Sequence, residues 1–177
     1  MGAADIRAGL RVSIASRGAA GAFANGMAGL ADELANATGI ADLGTAIRSA
    51  ARILRADDVV LTHVDRAANS LVLVAEHNGN PPGTSWRLDD FPATRYVLDH
   101  RVPGQIVAGD AAGDPAELAG LEALGMATLL IVPIVYGVRE LAVLEIYRTL
   151  PQAFTAREVD RARALAQQFG AALDRLT

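Results

Sequence analysis

Thr128-Leu-Leu-Ile-Val-Pro-Ile-Val135 is the longest apolar run of this chain, and after the link Tyr136-Gly-Val-Arg-Glu140 comes a second run, Leu141-Ala-Val-Leu-Glu-Ile-Tyr147. Both runs have the length of strands and are rich in β-branched residues. Their short polar link predicts an antiparallel hairpin, and their apolar character places that hairpin near the centre of a sheet. Because Pro133 cannot donate a backbone hydrogen bond, we expect it at a bulge or a strand end.

Outward from this hairpin, the hydrophobic period alternates between helix and strand. Two β-branched runs at 59–64 and 71–75, linked by polar residues, predict a second hairpin. Shorter strands are expected at 84–88 and 105–108, and short helices at 92–100 and 115–124, where Pro92 and Pro115 fit the first helical position. Longer helices are expected at 23–37, at 42–54 and from Thr155 to the end of the chain.

The apolar stripes of the first and last helices are regular enough to suggest a helix–helix interface. Phe154-Thr-Ala-Arg-Glu158 has the pattern of a capping box with a hydrophobic residue before it. The closing helix then repeats apolar residues at intervals of three and four, which is heptad character, and its alanines permit a close approach. We expect a homodimer through these helices, although the same stripe also suits a helix that only covers the sheet. The predicted interface residues are Met27, Leu30, Leu34, Ala162, Ala166, Phe169, Leu173 and Leu176.

Composition excludes several classes of function. The 177 residues fit one domain, with residues 1–25 predicted as a poorly ordered lead-in and 26–177 as the folded domain. The chain has no cysteine, which excludes thiol chemistry, disulfides and a covalently attached bilin, and all 16 basic residues are arginine. The net charge of −4 argues against nucleic acid as a partner. No run of about 18 uncharged apolar residues predicts a membrane span, and the first 21 residues lack a signal-peptide core, so we expect a cytoplasmic protein.

Several segments resemble the GAF domain, a small sensor module of bacterial signalling proteins. The residues that carry this resemblance are Leu124-Gly-Met-Ala-Thr-Leu-Leu-Ile-Val-Pro-Ile-Val135, with its Val-Pro-hydrophobic ending, the strand within 137–147, and Phe154-Thr-Ala-Arg-Glu-Val-Asp160 at the entry to the closing helix. The first hairpin, at 57–77, also lies where the family would place it. The resemblance covers about residues 27–177, and it is weakest over 78–113.

The resemblance implies an α+β fold: a central antiparallel sheet of about six strands, with the N- and C-terminal helices on one face and pocket loops and short helices on the other. It implies a non-catalytic sensing domain that binds a small-molecule effector between the sheet and the 78–113 segment. The signal would pass through the terminal helices to an output domain or a partner signalling protein. The predicted ligand-binding residues are Trp86, Arg87, Phe91, Tyr96, Val97, His100, Val107, Met126, Leu130 and Glu145.

Two alternatives stay open at this stage. The domain could have lost its ligand and serve as a dimerisation or scaffold module. It could also be a haem-based gas or redox sensor, because one histidine can hold haem iron, and His100 is the residue we nominate for that role. No histidine pair has the i, i+4 spacing of a helical metal site, so no metal site is predicted. No nucleophile–base arrangement is readable, so we expect no enzyme.

Overall fold

The computed structural model describes residues 3–78, 81–111 and 113–177. Within these residues the chain forms five α-helices and six strands, besides two short 3₁₀ turns. The predictions made for the whole 78–113 segment therefore extend over residues 79, 80 and 112, which lie outside the described part. In chain order the elements are α1 (Ala3–Asn36), α2 (Leu43–Leu54), β1 (Asp58–Asp65), β2 (Ser70–Glu76), β3 (Ser85–Arg87), α3 (Pro92–His100), β4 (Gly104–Val107), α4 (Pro115–Ala123), β5 (Thr128–Tyr136), β6 (Arg139–Arg148) and α5 (Ala156–Leu176).

The six strands form one sheet in the order β3-β2-β1-β6-β5-β4, and every neighbouring pair is antiparallel. The strands β1 and β6, from the two predicted hairpins, lie side by side at its centre. The predicted α+β fold is confirmed. The register of the second hairpin shifts between Ile134 and Val135, one residue beyond Pro133, and the pairing of β5 with β4 ends at Ile131.

The helices α1, α2 and α5 cover one face of the sheet. Their apolar stripes form one core with the strand residues that point to this face, such as Val59, Leu61 and Leu144. The seam expected to face a second copy is buried inside the chain instead, because a stripe of this spacing also fits a flat sheet surface. Buried there are Leu30, Leu34, Ala162, Ala166, Phe169 and Leu173, while Met27 and Leu176 are partly buried and pack against the same core.

The opposite face carries a smaller core beneath α3 and α4. Val97 and Leu98 of α3 pack there against Ile131 and Val143 of the sheet. This second core covers β4 and β5 and extends through Val64 and Val143 toward the β5–β6 turn. It leaves a hollow over the first half of β1 and the last residues of β6, which is where the candidate site lies.

Helix α1 crosses the predicted boundary between residues 25 and 26. It runs without interruption from Ala3 to Asn36, whereas the sequence predicts a poorly ordered lead-in over residues 1–25 and a helix from residue 23. The division into a lead-in and a folded domain stays a prediction. Within the described residues, none of the helices has both the length and the apolar character that crossing a membrane requires.

Candidate functional site

A cavity of about 440 Å³ lies between the sheet and the segment that contains α3 and α4. This volume falls in the range of small-molecule sites in proteins, roughly 300–1,000 Å³. The floor is made by alternate residues of the central strands, and the roof by side chains from β3, from Phe91 just before α3 and from the loop after α4. The lining residues are Asp58, Val60, Thr62, Leu71, Glu76, Asn78, Trp86, Phe91, Leu124, Met126, Glu145 and Tyr147.

Strand register brings three carboxyl groups onto this floor. Val60 at the centre pairs with Glu76 of β2 on one side and with Glu145 of β6 on the other, and Asp58 pairs with Tyr147. Directly paired residues of antiparallel strands project from the same face of a sheet. The two glutamates therefore flank Val60, and Asp58 lies two residues along β1 on the same side.

Glu145 and Asp58 are the two buried acids of the floor, with 8 % and 7 % of their surfaces exposed. Burial raises the pKa of the Glu145 carboxyl to about 7; Thr62 opposes the shift, while Glu117 and Glu76 add to it by repulsion. The Thr62 hydroxyl lies 3.5 Å from Glu145 Oε2. This is longer than the roughly 2.7–2.8 Å of a good O–H···O hydrogen bond. The carboxyl thus combines deep burial with a weak partner.

The pKa values of two further groups of the floor, the Asp58 carboxyl and the Tyr147 phenol, are also raised. Burial raises the pKa of Asp58, although the Val59 backbone N–H, 2.8 Å from Asp58 Oδ1, works against this, and repulsion from Glu76 reinforces it. Burial and the neighbouring carboxylates, Glu145 first, raise the pKa of the Tyr147 phenol. Tyr147 therefore stays protonated and presents a hydroxyl donor beside the acids.

The apolar wall comes from chain segments that the sheet and short turns hold in place. Trp86 pairs with Leu71 across β2 and β3, which sets its ring at the edge of the cavity. Phe91 immediately precedes α3, and its carbonyl accepts the first helical bond from Arg95 at 2.9 Å. After α4, Gly125 adopts a φ of 68°, in the left-handed region that glycine tolerates, and reverses the chain between Leu124 and Met126.

Four of the predicted ligand-binding residues lie on the cavity wall: Trp86, Phe91, Met126 and Glu145. Three others lie elsewhere in the interior or half-buried. Val97 belongs to the small core under α3, Leu130 points to the opposite face of the sheet among the terminal helices, and Val107 is half-buried on β4. Leu130 differs from expectation because neighbouring strand residues alternate between faces.

The other three predicted residues face solvent. Helix α3 buries Thr94, Val97 and Leu98, so the face that carries Tyr96 and His100 is turned outward. Their rings stack with centroids 4.0 Å apart, and His100 Nδ1 bonds the Tyr96 carbonyl oxygen at 2.9 Å. Arg87 is exposed and pairs with Asp89 at 3.2 Å. His100, the residue nominated to bind haem iron, therefore lies outside the cavity. No histidine is among the described lining residues.

The sequence reasoning misses most of the floor. Asp57 and Asp58 are adjacent in the chain and point apart, so Asp57 accepts bonds from Thr149 instead of lining the cavity. The carboxylates that join Asp58 come from other strands. Hairpin register is the signal that could have found Glu76, since an alternating pattern aligns it with Val60. The missed lining residues are Asp58, Val60, Thr62, Leu71, Glu76, Asn78, Leu124 and Tyr147.

The described lining residues include acids but no arginine or histidine. Two arginines of the segment that covers this face pair with carboxylates: Arg95 pairs with Asp89, and Arg101 pairs with Glu140 at 3.3 Å.

Just behind the wall, Glu117 of α4 accepts a hydrogen bond from the Ala93 backbone N–H, and burial raises the pKa of the Glu117 carboxyl. Among the described residues no three His, Cys, Asp or Glu side chains converge closely enough to hold a metal ion.

A protein-family model described as GAF domain matches residues 43–175 of this chain. The comparison with curated proteins gives no match.

Solved structures with the same fold are numerous, and three illustrate the range. The phycocyanobilin-bound GAF domain from a cyanobacterial phytochrome superposes with a TM-score of 0.73 at 14 % identity, covering 86 % of this chain and 94 % of that one. The GAF domain of a phosphoenolpyruvate-protein phosphotransferase from Coxiella burnetii gives 0.71 at 18 % identity, with 86 % and 93 % covered. The GAF domain of a two-component sensor histidine kinase from Bacillus halodurans gives 0.65 at 15 %, with 78 % and 96 % covered. At these identities the likeness establishes the fold.

Proposed function

The chain belongs to the GAF domain family, and on that premise we propose that it is a non-catalytic sensing domain whose small-molecule ligand occupies the cavity above β1 and β6. GAF domains are generally regulatory sensing modules rather than enzymes. The domain acts within a cytoplasmic bacterial signal-transduction protein and passes its signal to an output domain or a partner protein. A neighbour from a sensor histidine kinase supports this context.

The observation that carries the proposal is the cavity itself, with a buried carboxyl on its floor. A cavity of about 440 Å³ with apolar walls and a few polar groups has the usual form of a small-molecule site. The Glu145 carboxyl is destabilising there, since a buried charge without a good partner is strongly disfavoured. A ligand that contacts the apolar walls and bonds this group offsets that cost.

Strand alternation supplies a route from the cavity to the terminal helices. In β6, Glu145 and Tyr147 line the cavity, whereas Leu144 and Ile146 lie in the core with α5. A ligand that binds more tightly to one position of β6 shifts the equilibrium between two positions of this strand, and with it the packing of α5. The free energy of that shift is at most the difference between the ligand's binding free energies for the two positions.

Homodimerisation remains part of this proposal, but through a different surface of the terminal helices from the one predicted from the sequence. The interior already buries the predicted seam, so a partner would contact the outward sides of α1 and α5. Sedimentation equilibrium tests this, and a strictly monomeric species at high protein concentration would contradict it.

Trp86 gives the ligand proposal a direct test, because it is the chain's only tryptophan and lies on the cavity wall. Nucleotides, amino acids, amines and tetrapyrroles are screened for a rise in melting temperature together with a change in Trp86 emission. We expect Val60→Phe, which fills the floor, to abolish both responses. The control Val138→Phe adds the same group at an exposed turn and is expected to keep them.

Two results would contradict the proposal. One is that no compound raises the melting temperature or alters Trp86 emission. The other is that a hit binds Val60→Phe as tightly as the wild-type protein, which would place its site outside the cavity. A far-ultraviolet spectrum identical to the wild type establishes that Val60→Phe is folded.

A further inference from the structure

The chemistry of the cavity narrows its ligand: we propose that it binds an organic cation, a protonated amine carried on an apolar group. The inference rests on the proposed function, because it assigns the ligand class of the same cavity. Three features support it: the charges on the floor, the weak hydrogen bonding of the buried Glu145 carboxyl and the aromatic side chains of the wall.

The floor presents acids without compensating bases. Asp58, Glu76 and Glu145 project into the cavity from three adjacent strands, and none of the described lining residues is basic. Glu117 adds a fourth acid close behind, since its charge acts on Glu145 and Tyr147. A phosphate or carboxylate ligand placed here meets acidic side chains and no basic one among the described lining residues, which disfavours an anion against a cation. The same field attracts a cation.

The hydrogen bonding of Glu145 within the described part of the chain is weak, so a donor on a ligand would strengthen it. Its carboxyl is more than nine-tenths buried, and the partner that the described part of the chain offers it is the Thr62 hydroxyl, 3.5 Å from Oε2. An ammonium group carries three N–H donors and no acceptor, and its bonds to carboxylate are about twice as strong as neutral ones. An ammonium above Val60 lies within reach of carboxyls on both sides.

The wall suits the rest of such a molecule. Trp86, Phe91 and Tyr147 place three aromatic rings around the acids, and aromatic faces attract organic cations. Leu71 and Met126 supply apolar surface for a hydrocarbon part. A metal ion is the poorer fit, because the described acids do not converge on a common point and the cavity is far larger than one ion.

Proton exchange should accompany binding. The groups that face the bound cation are Asp58, Glu76, Glu145 and Tyr147 from the sheet and Glu117 from α4, while His77 acts on Asp58. In the empty protein Glu145 titrates near pH 7, and an adjacent ammonium favours its ionised form. Affinity for the amine therefore increases as pH rises from 6 to 8, with release of a proton on binding below pH 7.

The test uses three probes of one shape and different charge: phenethylamine, 2-phenylethanol and phenylacetate, titrated into the intact chain and followed by Trp86 emission. We expect phenethylamine to bind roughly tenfold or more tighter than the alcohol, and phenylacetate to bind weakest. Glu145→Gln should weaken phenethylamine binding by about tenfold and leave 2-phenylethanol within about twofold. Glu76→Gln is the second variant, and Glu122→Gln, an exposed acid outside the cavity, is the matched control.

The outcomes separate this inference from the proposed function. Tighter binding of phenylacetate or 2-phenylethanol than of phenethylamine overturns the cation assignment and leaves a ligand-binding cavity. An equal effect of Glu145→Gln and Glu122→Gln on phenethylamine overturns it as well, because a general charge effect would then explain binding. If Trp86 responds to no probe of this series, nor to agmatine, spermidine or choline at millimolar concentration, the cation assignment fails. The proposed function fails as well if the wider screen is also silent.

Discussion

Glu145 is the residue that most distinguishes this chain's cavity. It lies in a strand whose residues 141–146 are otherwise buried and apolar, and it points toward the cavity floor. A hydrophobic residue there would cost less, since a buried acid without a strong donor is destabilising. A group kept at such a cost fits a binding role better than a structural one.

The pKa of Glu145 predicts how stability changes with pH. Because burial raises that pKa from 4.5 to about 7, the folded state favours the protonated acid. This contribution is complete below pH 4.5 and is lost as pH rises to about 7, up to about 3 kcal/mol. Glu145→Gln removes the loss, so it should be more stable than the wild type at pH 8 and close to it at pH 4. Urea unfolding at both values measures the difference, with Glu122→Gln as control. An unchanged pH dependence in Glu145→Gln would refute this assignment.

At the scale of elements, the closing helix begins where local sequence says it should. Thr155 Oγ1 accepts a bond from the Glu158 backbone N–H at 3.4 Å, and Glu158 Oε2 accepts one from the Thr155 backbone N–H at 2.8 Å. Burial alone would raise the pKa of Glu158, but bonds from Arg148 and Thr155 outweigh it and lower that pKa to about 2. The capping box predicted from the sequence is therefore present.

The contact between α1 and α2 depends on a glycine. A methyl group at Gly26 would lie 2.8 Å from Ile53 Cγ1, whereas one at Gly29 would meet nothing within 4 Å. Alanine in a helix interior is more stable than glycine by roughly 0.5–1 kcal/mol.

These two glycines make a matched pair for a measurement. Gly29→Ala should gain most of that increment in the free energy of unfolding. In Gly26→Ala the clash with Ile53 should cancel this gain, so its free energy of unfolding should be lower than that of Gly29→Ala. Urea unfolding of both variants tests the close packing of α1 on α2, and equal gains would show that the two helices are not in this contact.

At the scale of the whole molecule, the sheet is shared between two different interiors. Val59 and Leu61 pack against the terminal helices, while Val60 and Thr62 of the same strand line the cavity. The central strands are therefore the physical connection between a ligand and the ends of the chain. A change in their position on the cavity side also moves the residues on the other face, because those residues are closely packed against the terminal helices.

Hydrogen exchange tests this connection. When the tightest-binding compound of the screen saturates the protein, we expect slower amide exchange in β1 and β6 and also in α5, which does not touch the cavity. Val60→Phe treated with the same compound is the control and should show no change. Protection confined to the wall residues would contradict coupling through the sheet.

The sequence alone was sufficient for the element order, the α+β class, the two hairpins and the capping box of α5, because each depends on residues close together in the chain. It also identified Trp86, Phe91, Met126 and Glu145 as pocket candidates, and the structure places these four on the wall. Only tertiary structure decided that Asp58, Glu76 and Glu145 share one floor, since their meeting depends on the register of three strands distant in sequence. Only the tertiary structure likewise decided that the apolar stripes of the first and last helices pack against this chain's own sheet. The same apolar spacing suits a partner helix and a sheet equally well.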